Sequence, residues 1–238
     1  MNRTVQLSVA VLGLAGGLAL AQSNIDNSVP DKYGWGENIG WTNWRDANGS
    51  LQGVNVGGLI LSGFTWGENI GWINVGDGTP TTPPFYANVD GTDFGVNIDP
   101  DGDLHGYAWG ENVGWINFDG GALATPAQPA RIICASPPGM PLARLTGYVW
   151  GENVGWLNLD VVDAGKFVAV ELTSTPLACD LNHDGLPNGG DVQAFTSLVL
   201  LGGADWTDVC SGDQEIVPDG MLDFDDVDPF VTCLLTQP

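Results

Sequence analysis

The chain has 238 residues, with 6 Lys or Arg against 29 Asp or Glu, so its formal charge at pH 7 is −23. That balance excludes nucleic acid and anionic membrane surfaces as partners, because both are gripped through Lys and Arg. It also excludes a disordered chain, since 43% of the residues are apolar and ten are Trp, enough material for a core.

The first element is a targeting segment over residues 1–21. Arg3 supplies a positive start, Leu7 to Leu20 is apolar, and Ala19-Leu20-Ala21 offers a small-x-small cleavage pattern before Gln22. The apolar run is about 15 residues, shorter than the ~20 of a membrane-spanning helix. It reads as a secretory signal, which places the product outside the cell, secreted or at the cell surface, with no membrane insertion. Export permits disulfides. Cys134, Cys179, Cys210 and Cys233 allow two bridges in three connectivities. None belongs to a C-x-x-C pair, so zinc and thioredoxin-type chemistry lack support.

An all-β domain is expected over residues 28–173, built on an internal repeat. The string WGEN-[IV]-GW begins at Trp35, Trp66, Trp109 and Trp150, at spacings of 31, 43 and 41 residues. An aromatic stands two residues before each copy (Tyr33, Phe64, Tyr107, Tyr148). Leu-x-Gly precedes three copies, and an Asn follows each second Trp by two residues (Asn43, Asn74, Asn117, Asn158). Aromatics at i and i+2 share one face of a strand. Gly-Glu-Asn is turn chemistry, expected to use the tolerance of Gly and Asn for positive φ. Each copy therefore predicts a β-hairpin. A third strand-like segment lies between hairpins at Val54–Val56, Val96–Ile98 and Arg131–Ile133, and another follows the last at Phe167–Val170. The fold class is mainly β, a repeat-built barrel, sandwich or small propeller, with closure favoured because it removes strand edges. The repeated string resembles a motif scattered through bacterial exported proteins, and that resemblance implies no activity.

Three readings of the repeated side chains compete. In the structural one, every unit needs the same turn, the same aromatic plug and the same Asn-to-backbone bonds. In the second, Trp35, Trp66, Trp109 and Trp150 stack on sugar rings while Glu37, Glu68, Glu111 and Glu152 bind hydroxyls, which makes a multivalent, lectin-like, carbohydrate-binding protein. In the third, two of those Glu form the acid/base pair of a glycoside hydrolase. Glycosidases need two carboxylates in distinct environments, and four equivalent Glu do not provide them. No Ser-His-Asp or Cys-His set can be assembled from two His, so a non-enzyme is expected. Asp99-Pro100-Asp101-Gly102-Asp103 reads as a tight turn rather than a metal loop, and His105 as a surface strand residue.

Residues 174–176 are a short polar linker, and the pattern then changes over 177–238. Asp180 to Asp191 places side-chain oxygens at positions 1, 3, 5, 9 and 12 of a twelve-residue loop, through Asp180, Asn182, Asp184, Asn188 and Asp191. The Leu186 carbonyl falls at position 7 and Gly185 at position 6, where a calcium loop turns sharply. Val192, Phe195, Leu198 and Val199 then share a helical face, ended by Gly202-Gly203. A second, weaker loop has Glu215, Asp219, Asp223 and Asp226 at positions 1, 5, 9 and 12, with a helix from Asp226 to Leu235.

A loop followed by one helix, with Asp at position 12 and two copies in tandem, resembles a type I dockerin. The resemblance covers about a quarter of the chain. It implies a small all-α domain that binds Ca²⁺ and docks to a cohesin-type module or another cell-surface component, often in polysaccharide-degrading assemblies. Because dockerin ends lie near each other, it also implies a Cys179–Cys233 bridge. Cys210 with Cys134 would then tie the two domains, with free thiols as the alternative. The expected function is an exported, non-catalytic, calcium-dependent docking protein whose repeats are scaffold or binding surface.

Overall fold

The structure, a computed structural model, describes residues 22–28, 30–134, 143–171, 178–213 and 222–236. The expected leader over 1–21, the linker over 174–176, and Glu215 and Asp219 lie outside them.

Each motif copy forms a hairpin. The four are β1 (Tyr33–Gly36) with β2 (Gly40–Asn43), β4 (Leu61–Gly67) with β5 (Gly71–Gly76), β7 (Leu104–Gly110) with β8 (Gly114–Asn117), and β11 (Tyr148–Gly151) with β12 (Gly155–Asn158). Their tips are identical. The Ile39 N–H donates to the Gly36 carbonyl (3.2 Å), and Ile70, Val113 and Val154 do the same to Gly67, Gly110 and Gly151. A residue at positive φ follows each turn: Gly40, Gly71, Gly114 and Gly155, φ 71–80°. This is a type I turn closed by a left-handed glycine. Positive φ thus falls on the second motif Gly, not on the Gly-Glu-Asn corner as expected. The first Gly is needed for space: a Cβ on Gly36, Gly67, Gly110 or Gly151 would stand 2.5–2.8 Å from the Ile or Val that folds back beneath it.

The hairpins pair in chain order, β2 with β4, β5 with β7, β8 with β11, and β12 returns to β1. The result is a closed, eight-stranded antiparallel barrel. Its interior is mostly aliphatic: Ile39, Ile70, Val113 and Val154 from the tips, with Ile73, Ala108, Ile116, Val149 and Leu157 below, joined by Thr42 and Thr65, all buried. Burying each Ile, Leu or Val side chain stabilises by about 1.5–3 kcal/mol. The tip of the bore is thus plugged by aliphatic side chains, while Trp44 and Phe118, just after the motif Asn, are the aromatics buried in the core. The bore of eight strands is only wide enough for side chains to fill, and the eight motif indoles face outward.

Below the tips the intervening strands flank the barrel, two on its own sheet and four in a second sheet. They are β3 (Asn55–Val56), β6 (Val96–Ile98), β9 (Arg131–Ile133) and β14 (Lys166–Ala169), with β10 (Arg144–Thr146) leading into β11 and β13 (Asp160–Val161) beside β14. β3, β6 and β9 pair with β4, β7 and β10. β14 pairs with β10, and its Phe167 and Ala169 N–H groups donate to Pro30 and Asp31. The last third-strand thus serves the first hairpin, which lacks Leu-x-Gly. In the other units Leu61, Leu104 and Leu145 are buried, and Gly63, Gly106 and Gly147 hold φ 79–97° against the neighbouring strand.

Among the described residues three helices follow, α1 (Asp191–Leu201), α2 (Trp206–Gly212) and α3 (Val227–Thr236). α1 ends at Gly202 and Gly203, both at positive φ. Phe195 of α1 stacks on Phe230 of α3 at 4.1 Å, around a small core with Leu181 and the buried Cys179–Cys233 bridge. α2 was not expected. It is opened by a capping box, Asp205 accepting from Thr207 and Asp208 while Asp208 accepts from Asp205. It packs against the barrel: Trp206 is part of the barrel core, its indole N–H donates to the Gly57 carbonyl (2.8 Å), and Cys210 bonds to Cys134.

Candidate functional site

In the loop 180–191 the carboxylates organise the backbone. Asp180 accepts from the Asp184 and Gly185 N–H groups at 3.1 and 2.9 Å, and Asp191 from Asn182 and Asn188 at 3.0 and 2.8 Å. Gly185 turns at φ 84°. Asn182 donates to Asp184, and Asn188 to the Leu186 carbonyl. Asp180 and Asp191 are 4% and 0% exposed, whereas Asn182, Asp184 and Asn188 face solvent. Of the second loop, Asp223 and Asp226 are described, and the Asp223 N–H donates to Asp226 at 2.9 Å, matching the Asn188–Asp191 bond of the first. Among the described residues no three His, Cys, Asp or Glu side chains converge on one point. The first loop contributes three carboxylates, and its other oxygens are amide or carbonyl.

The barrel presents a second surface. The motif Trp pairs face each other across their hairpins, with ring centres 4.8 Å apart for Trp35/Trp41, 4.5 Å for Trp66/Trp72 and 4.7 Å for Trp109/Trp115. Tyr33, Phe64, Tyr107 and Tyr148 meet the second Trp edge-on at 6.1–6.4 Å. Twelve aromatics thus form a belt around the outer wall. Glu37, Glu68, Glu111 and Glu152 are exposed, each at the corner of its own tip. The following Asn are structural: Asn38, Asn69, Asn112 and Asn153 donate to the carbonyls of Val154, Ile39, Ile70 and Val113 at 3.0–3.2 Å, one bond from each hairpin to the next around the ring. Asn43, Asn74, Asn117 and Asn158 accept the N–H two residues on.

The four belt sectors are not alike. Over the first, the Lys166 ammonium lies 5.1 Å from the Tyr33 ring and 5.3 Å from Trp41. Beside the third is a cleft of about 440 Å³ lined by Asn88, Val89, Asp90, Phe94, Tyr107 and Trp115. Beside the fourth is one of about 330 Å³ lined by Thr125, Pro126, Gln128, Tyr148 and Trp156. These clefts adjoin the second Trp of the motif, not the first Trp and Glu singled out from the sequence. The available signal was spacing: the gaps before the third and fourth copies are 43 and 41 residues against 31, and the extra chain supplies the walls.

His105 joins two acids, Nδ1 to Asp119 at 2.6 Å and Nε2 to Asp99 at 3.1 Å. Burial opposes its charge, but the two carboxylates outweigh it and hold its pKa above the ordinary value. The Asp99–Asp103 segment is the turn expected, with the Gly102 N–H donating to Asp99.

No family model, curated protein or solved structure matches this chain.

Proposed function

We propose that this is an exported, non-catalytic protein whose C-terminal loop–helix pair binds calcium and docks to a cohesin-type or cell-surface partner, with the barrel as scaffold or binding surface. The supporting observation is the burial of Asp180 and Asp191 in a stretch, residues 178–238, that holds 12 Asp or Glu and no Lys or Arg. Carboxylates withdrawn from water call for a compensating cation, and an all-oxygen donor set suits Ca²⁺. Asp180, Asn182, Asp184, the Leu186 carbonyl, Asn188 and Asp191 would hold it, and its charge would relieve the repulsion among the carboxylates. In the second loop Asp223 and Asp226 would contribute, together with Glu215 and Asp219. The outer faces of α1 and α3 leave Leu200, Leu201, Val231 and Leu235 exposed, an apolar surface suited to a docked protein.

Calorimetric calcium titration of the full chain tests the reading, with Asp184→Ala as control. Binding of one or two ions, a gain of helix by circular dichroism and a silent control are expected. No heat from the unaltered chain would sink it.

A further inference from the structure

The geometry points to a second binding function: the two clefts beside Trp115 and Trp156 take neutral pyranose glycans. This rests on reading the barrel as a binding surface, and it moves the contact from the first Trp and the Glu of each motif to the second Trp and its flanking insert.

Trp115 is a fixed plate. Phe94 meets it at 5.1 Å and 85°, Tyr107 at 6.1 Å and 73°, and Trp109 at 4.7 Å and 62°. Even so, 42% of it stays exposed, as for Trp156. An aromatic surface already immobilised loses little entropy when a ligand stacks on it, and the C–H face of a pyranose is such a ligand. The rims supply hydroxyl partners. The first has the Asn88 amide and the Asp90 carboxylate, whose Oδ1 accepts from the Thr92 N–H and hydroxyl, holding its pKa below the usual range. The second has the Thr125 and Tyr148 hydroxyls and the Gln128 amide. Donors and acceptors of this kind satisfy sugar hydroxyls.

The same lining argues against other ligands. Neither cleft is lined by Lys or Arg, and the chain carries −23, so sulfated, phosphorylated and uronic acid ligands are repelled. A hydrophobic peptide would need more aliphatic wall than Val89, or Ala124 with Pro126, offers. Both volumes fall in the small-ligand range. The first sector is an internal control, because Lys166 of the same chain already covers the equivalent rings.

The test titrates the full chain, in excess calcium, with hexaoses of β-1,4-glucose, β-1,4-mannose, β-1,4-xylose and α-1,4-glucose, followed by Trp fluorescence and calorimetry. At least one hexaose should bind at two sites per chain. Trp115→Ala and Trp156→Ala should each remove one site and the pair both, while Trp41→Ala and Glu111→Gln keep two. Asp90→Ala and Gln128→Ala, on surface loops, should each weaken one site about tenfold, the loss of one good polar contact, with thermal melts confirming the fold. Failure of all four hexaoses to bind would overturn the proposal, as would a double Trp variant that binds like the parent. Neither result touches the calcium titration, so the two readings fail separately.

Discussion

The barrel and the C-terminal helices both join repeated units, by different means. In the barrel one bond recurs four times, from the motif Asn amide to the carbonyl of the neighbouring hairpin's buried Ile or Val. The ring closes on itself through the pairing of β12 with β1. At the C-terminus α1 and α3 meet through the Phe195–Phe230 stack and the Cys179–Cys233 bridge, and the loop before α1 is wound on carboxylates. The difference is one of core size. Among the described residues the barrel buries more than twenty apolar side chains in one cluster, while the helical core has four buried members. A core that small needs staples, here a disulfide, a grip on the barrel and, in our proposal, calcium.

The sharpest attack on this comparison is Trp206→Ala. Trp206 belongs to the helical region in sequence but to the barrel core in space. Removing a buried Trp costs about 3–5 kcal/mol, and urea unfolding followed through the barrel's Trp signal should show it. A loss under about 1 kcal/mol would mean that the barrel does not depend on the helices, since core truncations rarely cost so little.

A glycine pair sharpens the contrast. Gly147 has φ 79°, and a Cβ there would land on the Pro129 carbonyl; Gly202 has φ 71° with nothing within 4 Å. Both hold a positive φ that a side chain strains, but only the first meets backbone. Gly147→Ala and Gly202→Ala should both lose about 1–3 kcal/mol to the strain of a positive φ, and Gly147→Ala should lose about 1–3 kcal/mol more to the clash. Equal losses would show that the barrel glycines serve backbone conformation rather than close approach. Thermal melts of the two variants decide it.

These effects also mark what was legible in the sequence. The hairpins could be read because the alternation and the turn lie within a dozen residues. Closure was expected, but the choice of a barrel over a sandwich or propeller was not legible, because it depends on the pairing of β1 with β12, more than 120 residues apart, and on a register that no single copy reveals. The two motif glycines look interchangeable in the string, but one makes room for Ile or Val and the other supplies positive φ. α2 was invisible to periodicity at seven residues, although Asp205 and Asp208 carried a capping signal and Trp206 stood outside every repeat. The acidic loop was conspicuous because its spacing is dictated by a coordination sphere; the clefts were not, because their walls are inserts with no shared pattern.

The smallest expected effect asks whether charge holds any part of the barrel. His105 clasps Asp99, at the start of the β6–β7 turn, and Asp119, which also accepts the Gly106 N–H. Its pKa in the folded chain lies above the ordinary 6.5. Folding therefore favours the protonated ring, and the clasp's contribution is complete below that ordinary value and lost as pH rises through the raised one. The ring is nearly half exposed, so water screens the pair and the contribution should be about 1 kcal/mol or less. His105→Gln should accordingly flatten the fall in melting temperature that the parent shows as pH rises past the ordinary histidine value, with little change in slope well below it. A variant that melts far lower than the parent at every pH would mean that His105 is held for packing. A parent whose melting temperature does not fall as pH rises past the ordinary histidine value would mean that the clasp contributes no charge energy and that backbone geometry alone fixes this turn.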